Sequence, residues 1–450
     1  MRTFVVIWLG ELISILGSGL TGFALGVWIF QQTGQATPFA LTVLFSTLPR
    51  LLLLPLAGML ADRWNRRWLM ILGDTGSAAA TLAIVLLLTT GQLEVWMIYL
   101  LVIFSSAFTT FQEPAYRSSV VMLVPKKDLA RASGMMNASE AVQMLVAPLL
   151  AGFLFGVIGL RGIILIDFIS YFFAVGALLI VRIPQPQMTH EEAGQKASLR
   201  RDTVFAWRYL RERPGLFWLL WYFALVNFLA NFAAVLLGPL VLSFAGADAY
   251  GLVQVMMGVG MLAGSILIGA WGGPSHRAAG VVAFIALSGA GLLLTGLRAS
   301  PWVVGAGLFV MMFFIPMAQA CSTALNQTKI EPSIQGRLFA VRGLISQSMM
   351  PMAFLIAGPL ADSVFGPLML PGGALASTFL GGLLGVGPGR GIGLMFVFSG
   401  VTLILASALA WMHPRIRRIE IELPDVVAQP EAGEAPPAPV QAQAAGQQAD

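Results

Sequence analysis

Twelve apolar stretches alternate with short polar gaps along the chain, at about 4–30, 38–61, 68–90, 96–118, 134–158, 162–182, 216–243, 250–272, 279–297, 301–325, 339–365 and 391–412. A helix crosses the roughly 30 Å hydrocarbon core with about 20 apolar residues. Only helices and closed barrels satisfy their backbone polar groups in lipid. These runs are too long and too uniformly apolar for barrel strands of about 10 alternating residues. The pattern predicts an all-α membrane protein with twelve transmembrane helices.

Composition narrows the picture further. Hydrophobic residues make up 57% of the chain and charged residues 10%, against about 25% charge in a soluble domain. The mean hydropathy of +0.82 likewise excludes a water-soluble fold. Cys321 is the single cysteine, so no disulfide framework or multi-cysteine metal site can form. His190, His276 and His413 are scattered through loops and helix ends, so neither a metal nor a cofactor is expected. Met1–Phe30 reads as one long apolar helix without an early small-residue cleavage site, so no cleavable signal peptide is expected. A nucleotide-binding loop and an H-E-x-x-H helix are both missing from the sequence, and no histidine falls inside a span, which argues against an enzyme.

The net charge of +5 points to lipid topology rather than nucleic acid, because of where the charge lies. Of the 26 Lys and Arg, 22 fall in the gaps or at the span ends on the side of the termini. Arg161, Arg298 and Arg390 lie opposite, and Arg50 lies within span 2. The positive-inside rule then predicts a multi-pass protein of the cytoplasmic (inner) membrane with both termini in the cytoplasm.

The longest connection, 183–215, carries Pro184, Pro186 and the charged run Arg200–Arg213. Its Val204, Phe205, Trp207 and Leu210 suit an amphipathic helix at the membrane surface. The expected organisation is a six-helix bundle over 1–182, that linker, a second six-helix bundle over 216–413, and a disordered cytoplasmic tail over 414–450. Two echoes support a duplication. Val124-Pro125-Lys126-Lys127-Asp128 answers Glu331-Pro332-Ser333-Ile334-Gln335, and Ala147-Pro148-Leu149-Leu150-Ala151-Gly152 answers Gly358-Pro359-Leu360-Ala361-Asp362. Repeats of six plus six spans are a transporter architecture.

Between spans 2 and 3 stands Gly58-Met59-Leu60-Ala61-Asp62-Arg63-Trp64-Asn65-Arg66-Arg67. This resembles the signature loop of the major facilitator superfamily: Gly, three residues, Asp-Arg, a spacer, Gly, then two basic residues. Gly58 would allow close helix approach, and Asp62 would accept N–H bonds at a neighbouring helix N-terminus. Arg63, Arg66 and Arg67 would supply partners and hold the loop in the cytoplasm. Asn65 replaces the second glycine and is expected to take the left-handed conformation of such a turn. Its counterpart, Gly269–Arg277, lacks the acid.

Leu16–Thr21 and Gly26-Val27-Trp28 in span 1, with Pro114-Ala115-Tyr116-Arg117 and Val124–Arg131 after it, resemble one branch, the macrolide-efflux and enterobactin-exporter-like drug:proton antiporters. The resemblance runs from span 1 to span 12 and implies the major facilitator fold: two pseudo-symmetric six-helix bundles rocking about a central site.

Polar residues within spans should face the bundle interior or a wet cavity. Glu11, Ser14, Ser18 and Thr21 share a face of span 1, and Ser105, Thr109, Gln112, Glu113 and Tyr116 a face of span 4. Span 7 carries Asn227 and Asn231, and span 10 Gln319, Thr323 and Asn326. The resemblance assigns these four helices to the cavity wall, while each polar residue alone reads equally as helix–helix glue. Glu11 and Glu140 lie about 10 Å from the cytoplasmic end and Asp167 about as deep from the outer face, at 1.5 Å per residue. Asp74 and Glu113 are nearer the end. Acids sunk in low dielectric can load and release protons near neutral pH, so Glu11, Glu140 and Asp167 are candidates for proton coupling, with structural ion pairing the alternative. Arg50 needs an anionic partner, and Glu11 is closest in depth. The many methionines, Met256, Met257, Met311, Met312 and Met317 among them, suit either varied apolar ligands or plain gap filling.

These readings converge on a monomeric exporter of an amphipathic, macrolide-like compound by proton antiport, with the small-molecule substrate, protons and the bilayer as its partners. A dedicated siderophore or metabolite exporter is the alternative, favoured if Arg50 binds an anion in the cavity. For topology, single cysteines at Asn65 and Ser198 should be labelled only from the cytoplasm and one at Gly373 only from outside. Labelling of Asn65 from outside in intact cells would reverse the orientation.

Overall fold

The computed structural model describes residues 1–181, 205, 207–330 and 332–422. The amphipathic stretch expected in 183–215 lies largely outside the described residues, as does the tail beyond 422. The described residues are almost wholly helical: α1 Arg2–Thr33, α2 Ala36–Arg63, α3 Arg66–Thr89, α4 Val95–Leu123, α5 129–158, α6 160–180, α7 Pro214–Leu242, α8 Ala247–Trp271, α9 Arg277–Leu297, α10 Pro301–Lys329, α11 Pro332–Pro359 and α12 Arg390–Met412. Eleven helices among the described residues are long and apolar enough to cross a membrane. One of them counts twice: helix Leu129–Ile180 has 52 residues, about 78 Å of rise against a core of roughly 30 Å. It folds back at Gly159, whose φ of 63° and ψ of −174° suit only glycine, and so α5 and α6 are antiparallel crossings.

Two apolar clusters fix the ends of the first six helices. On the face carrying the termini, Phe4, Ile7, Ala61, Leu69, Met70, Val120, Ala132 and Leu178 bury together. On the opposite face Leu25, Ile29, Ile84, Val85, Ile98, Ala151, Leu160 and Ile164 do the same. A much larger cluster runs through α7 to α12.

The close contacts between α1–α6 and α7–α12 gather toward the opposite face. Pro148 and Gly152 of α5 meet Ala247 and Gly251 of α8. Phe39 of α2 meets Gly238 of α7, and Thr37 of α2 meets Gly358 of α11. A Cβ on Gly152 would fall 2.7 Å from the Ala247 carbonyl, and one on Gly251 would strike that of Pro148. Glycine therefore sets how closely these two helices cross, as small residues do wherever membrane helices pack tightly. Toward the terminal face the helices part around an open cavity, so the molecule stands open to the side of its termini.

The glycine-rich segment after span 11 contains short helices at Gly366–Met369 and Phe379–Leu384 that bury Met369 and Leu384 with Leu394 of α12. One expectation changes. Residues 414–422, expected to begin a disordered tail, form two helical turns, Pro414–Arg417 and Ile419–Glu422, with Ile416 and Ile419 buried. Glu420 caps α9 by accepting the Ala278 N–H at 2.7 Å and lies 3.4 Å from His276 Nδ1. An acid from beyond α12 thus serves the α8–α9 loop that lacks one of its own.

Gly251→Leu should overpack the α5–α8 seam at a cost of about 1–3 kcal/mol and lower the unfolding temperature in detergent. Gly134→Leu, where an added side chain meets open space, should leave it near the native value.

Candidate functional site

The cavity that opens toward the terminal face has a volume of about 540 Å³ and is walled by α1 through α5. Glu11 of α1 and Asp74 of α3 lie at its buried end, 4% and 5% exposed. They share one neutral donor: Gln112 Nε2 of α4 donates to Glu11 Oε2 at 3.0 Å and to Asp74 Oδ1 at 2.7 Å. Asp74 Oδ2 is buried with no hydrogen-bond partner. No cation among the described residues forms a salt bridge with either acid. Two carboxylates so close in low dielectric cannot both keep a full charge cheaply. One proton would remove the repulsion and give the unpaired oxygen a role.

Nearer the opening the wall carries an ion-pair ladder. Arg50 of α2 donates to Glu113 Oε2 of α4. Arg117 of α4 bonds Glu113 Oε1 at 3.1 Å and Glu140 Oε1 of α5 at 2.8 Å. This corrects two expectations. The partner of Arg50 is Glu113 rather than Glu11, because Arg50 and Glu113 both face the opening while Glu11 points at Gln112. Glu140 is not sunk in apolar surroundings; its side chain is 59% exposed and ion-paired. Pairs this exposed contribute about 0–1 kcal/mol each, so they can exchange partners at little cost.

Ser14, Ser18, Thr109, Gln112 and Glu113 line this cavity as their stripes require, and Thr21 is buried deeper in α1. The stripes of the other half behave differently. Asn227 and Asn231 donate to the carbonyls of Phe223 and Asn227 one turn back at 2.8 Å, and Asn326 bonds Ser322 in the same way. Gln319 and Thr323 are exposed. None of these five belongs to the polar cavity's lining. Asp167 lies behind α1, where Ser18 Oγ donates to it at 3.2 Å.

A second cavity of about 510 Å³ lies between the two halves. Its wall is mainly apolar: Phe23 and Phe39, Met144, Tyr250, Met257 and Phe354. Phe23 and Tyr250 stack at 4.8 Å. Gln143 of α5 lines both cavities and donates to the Ile15 carbonyl at 3.1 Å. Of the methionines, Met311 and Met317 are core, and Met257 faces this cavity.

A charged, half-buried cleft in a bundle of twelve spans, sharing Gln143 with an apolar one, is the geometry of a solute pathway. The family model described as Major Facilitator Superfamily matches residues 7–354. The chain belongs to the Major Facilitator Superfamily. It is 28% identical over 362 residues to Macrolide efflux protein A of Streptococcus pyogenes, covering 79% of this chain and 88% of that protein. With Macrolide efflux protein A of Enterococcus faecalis it shares 29% identity over 327 residues, 71% of this chain and 99% of that one. Among solved structures, a bacterial homolog to the human lysosomal transporter Spinster, inward-facing and unoccupied, superposes with a TM-score of 0.65 at 15% identity, covering 94% of this chain and 98% of that one. A bacterial homologue of the iron transporter ferroportin, in an inward-facing state, gives 0.62 at 16% identity, with coverage of 91% and 97%. Both are likenesses of fold.

The superfamily loop is held differently from its sequence reading. Asn65 is not left-handed: with φ −63° and ψ 111° it is extended, and its Oδ1 caps α3 by accepting the N–H groups of Arg67 at 3.0 Å and Trp68 at 3.4 Å. Gly58 makes no close approach, since an added Cβ would meet nothing within 4 Å. Arg67 donates to the Leu178 and Leu179 carbonyls at 2.6 and 2.7 Å, capping the end of α6. Arg66, buried, donates to the Ser118 carbonyl at 2.9 Å. Arg63 is exposed. The side chain of Asp62 lies outside the described residues.

The same chemistry is found at the opposite face, from Asp362, just beyond α11. Asp362 accepts the N–H of Ala36 at 2.8 Å, the N–H of Thr37 at 2.7 Å and the Thr37 hydroxyl. These are the first residues of α2, whose own N-cap, Gln35, makes no side-chain bond. An acid from one half thus caps a helix of the other, where the N-terminal dipole favours it. The Gly358–Asp362 echo marked this segment as part of a repeat but gave no sign of its partner.

Loss of such a cap costs about 0.5–2 kcal/mol, enough to move a two-state equilibrium severalfold. Asp362→Ala should therefore lengthen the distance between spin labels at Gln92 and Ala299, on opposite halves of that face, in a larger share of molecules. An unchanged distribution would make Asp362 a local cap only.

Proposed function

We propose that this chain exports an amphipathic, macrolide-like organic compound across the cytoplasmic membrane in exchange for protons. The observation that carries the reading is the buried pair Glu11 and Asp74 joined by Gln112 at the closed end of the polar cavity. A proton held by this pair removes one charge from the low-dielectric centre and lowers the cost of closing the cavity around it. Release of the seam held by Asp362 would open the opposite face, and the alternation would carry substrate one way and protons the other. Excess Lys and Arg on the terminal side supports placing both termini, and the open cavity, in the cytoplasm.

The two cavities suit a ligand with a charged end and an apolar body. The polar cavity is lined by Arg50 and Arg117 against Glu11, Asp74, Glu113 and Glu140. Two cations against four acids leave a formal excess of two negative charges, which favours a cationic or neutral amphiphile. Pairing of Arg50 with Glu113 removes the lone cation that would have favoured a siderophore or other organic anion. The curated relatives named for macrolide efflux support the same choice.

The test uses everted vesicles carrying an imposed proton gradient and a panel of macrolides, cationic dyes and siderophores. A macrolide or cationic dye should collapse the gradient in native vesicles. Glu11→Gln and Asp74→Asn should each retain substrate binding and lose uphill export, by about 10²-fold if proton transfer depends on the pair. Full proton-driven export in Glu11→Gln would remove the pair from the mechanism.

A further inference from the structure

On the face opposite the termini, two arginines of the second half meet without an acid between them. Arg390, the first residue of α12, is 4% exposed. Its Nη2 donates to the Gly296 carbonyl near the end of α9 at 2.6 Å. Gly393 keeps that seat open, because a Cβ there would fall 2.8 Å from Nη2 and 2.9 Å from the same carbonyl. The other two nitrogens, Nε and Nη1, are buried with no hydrogen-bond partner among the described residues. Arg298, two residues past Gly296, is exposed and close enough to repel Arg390. No salt bridge reaches either guanidinium among the described residues.

The fold does not provide the missing charge. Arg390 caps the C-terminus of α9, which carries about half a negative charge. The N-terminus of α12, where Arg390 sits, brings about half a positive charge to the same place. The two helix ends cancel, and about two positive charges remain. The acids of this face are engaged elsewhere. Glu94 accepts the Trp96 indole N–H at 2.6 Å, Asp248 lies against Gly246 at the start of its own helix, and Asp362 caps α2. A buried cation with two idle donors is costly, and a second cation beside it adds to the cost. An anion lying against Arg298 would remove the repulsion and neutralise the charge behind it.

The surroundings indicate what carries that anion. Here α9 ends and α12 begins, so both guanidinium groups stand at the membrane boundary, where lipid headgroups lie. Leu297 shares an apolar cluster with Leu380 and Leu384 of the loop helix Phe379–Leu384, which brings that helix beside Arg298. The other face of the loop helix is bare: Phe379 is 80% exposed, and Leu383 is exposed one turn on. Trp302, one turn beyond Arg298 in α10, is 67% exposed, and tryptophan is enriched at bilayer interfaces. Bare apolar side chains around a cationic pair match a lipid, whose chains cover the one and whose phosphate meets the other. A free anion would leave Phe379, Leu383 and Trp302 uncovered.

We propose that Arg298 and Arg390 form a binding site for the phosphate of an anionic phospholipid in the leaflet opposite the termini, with Phe379, Leu383 and Trp302 against its chains. Arg298 is the arm that meets the headgroup, and Arg390 places a fixed charge behind it. The site stands apart from the Glu11–Asp74 pair, which lies in the first half at the closed end of the polar cavity, so it does not rest on proton coupling.

The test is thermal unfolding of the full chain in neutral detergent, titrated with phosphatidylglycerol, phosphatidylcholine or inorganic phosphate at constant ionic strength. Phosphatidylglycerol should raise the unfolding temperature saturably. Phosphatidylcholine, whose phosphate already has a cation, and inorganic phosphate, which has no chains, should not. Arg298→Gln should weaken the phosphatidylglycerol midpoint about tenfold, the effect of losing one charge-assisted hydrogen bond. Arg390→Gln should weaken it as well. Because Arg390 also caps α9, the exposed Arg298 carries the test if Arg390→Gln fails to fold. Arg161→Gln removes another exposed cation from the same face, in the first half, and should leave the midpoint unchanged. An unaltered midpoint in Arg298→Gln, or an equal loss in Arg161→Gln, would overturn the site. Full protection by inorganic phosphate alone would overturn the lipid as its occupant.

Discussion

The contact of Asp362 with the first turn of α2 is the one on which the shape of the pathway depends. The first N–H groups of a helix have no partner within it, and the lipid boundary supplies few. Here the need is met by a carboxylate from the other half of the molecule, so satisfying a backbone requirement also joins the halves at one face. Gly152 and Gly251 bring α5 and α8 together toward that same face. The polar cavity lies away from that seam, walled by α1 to α5.

Within that space the acids divide by depth. Near the opening, Arg50, Glu113, Arg117 and Glu140 form exposed pairs that compensate one another and can re-form around a charged ligand. At the closed end, Glu11 and Asp74 have only an amide between them, so a proton is the simplest partner available. Behind α1, Asp167 is met by hydroxyls, Ser18 at 3.2 Å and Thr81 at 3.5 Å. The same residue type thus has three environments, set by which donors lie within about 3 Å rather than by position along a span. The polar residues of the second half take no part in this: Asn227, Asn231 and Asn326 turn back onto their own helices, and the half contributes Tyr250, Met257 and Phe354 to the apolar cavity instead.

The crossings were legible in the sequence, including the break between 158 and 162 where Gly159 turns the chain, because a bilayer demands long apolar runs and leaves charge only in the gaps. The superfamily loop was legible too, since it is local and its residue types are spaced for one turn. Its details were not. Asn65 was expected to be left-handed and is extended, because capping α3 satisfies two donors and leaves no need for the rarer conformation.

What the chain determined by itself, then, is the number of helices, the side on which its positive charge collects, the family, and a short set of polar residues within spans. What only the tertiary structure decided is which of these meet. Depth along a span put Arg50 beside Glu11, yet rotation of the helices about their axes turned Arg50 to Glu113 and Glu11 to Gln112. Neither the pairing of Glu11 with Asp74, nor the cap from Asp362 on α2, nor the convergence of hydroxyls on Asp167 has a signal in spacing along the chain. Each joins helices distant in sequence, and their relative rotation is fixed by packing against several neighbours at once.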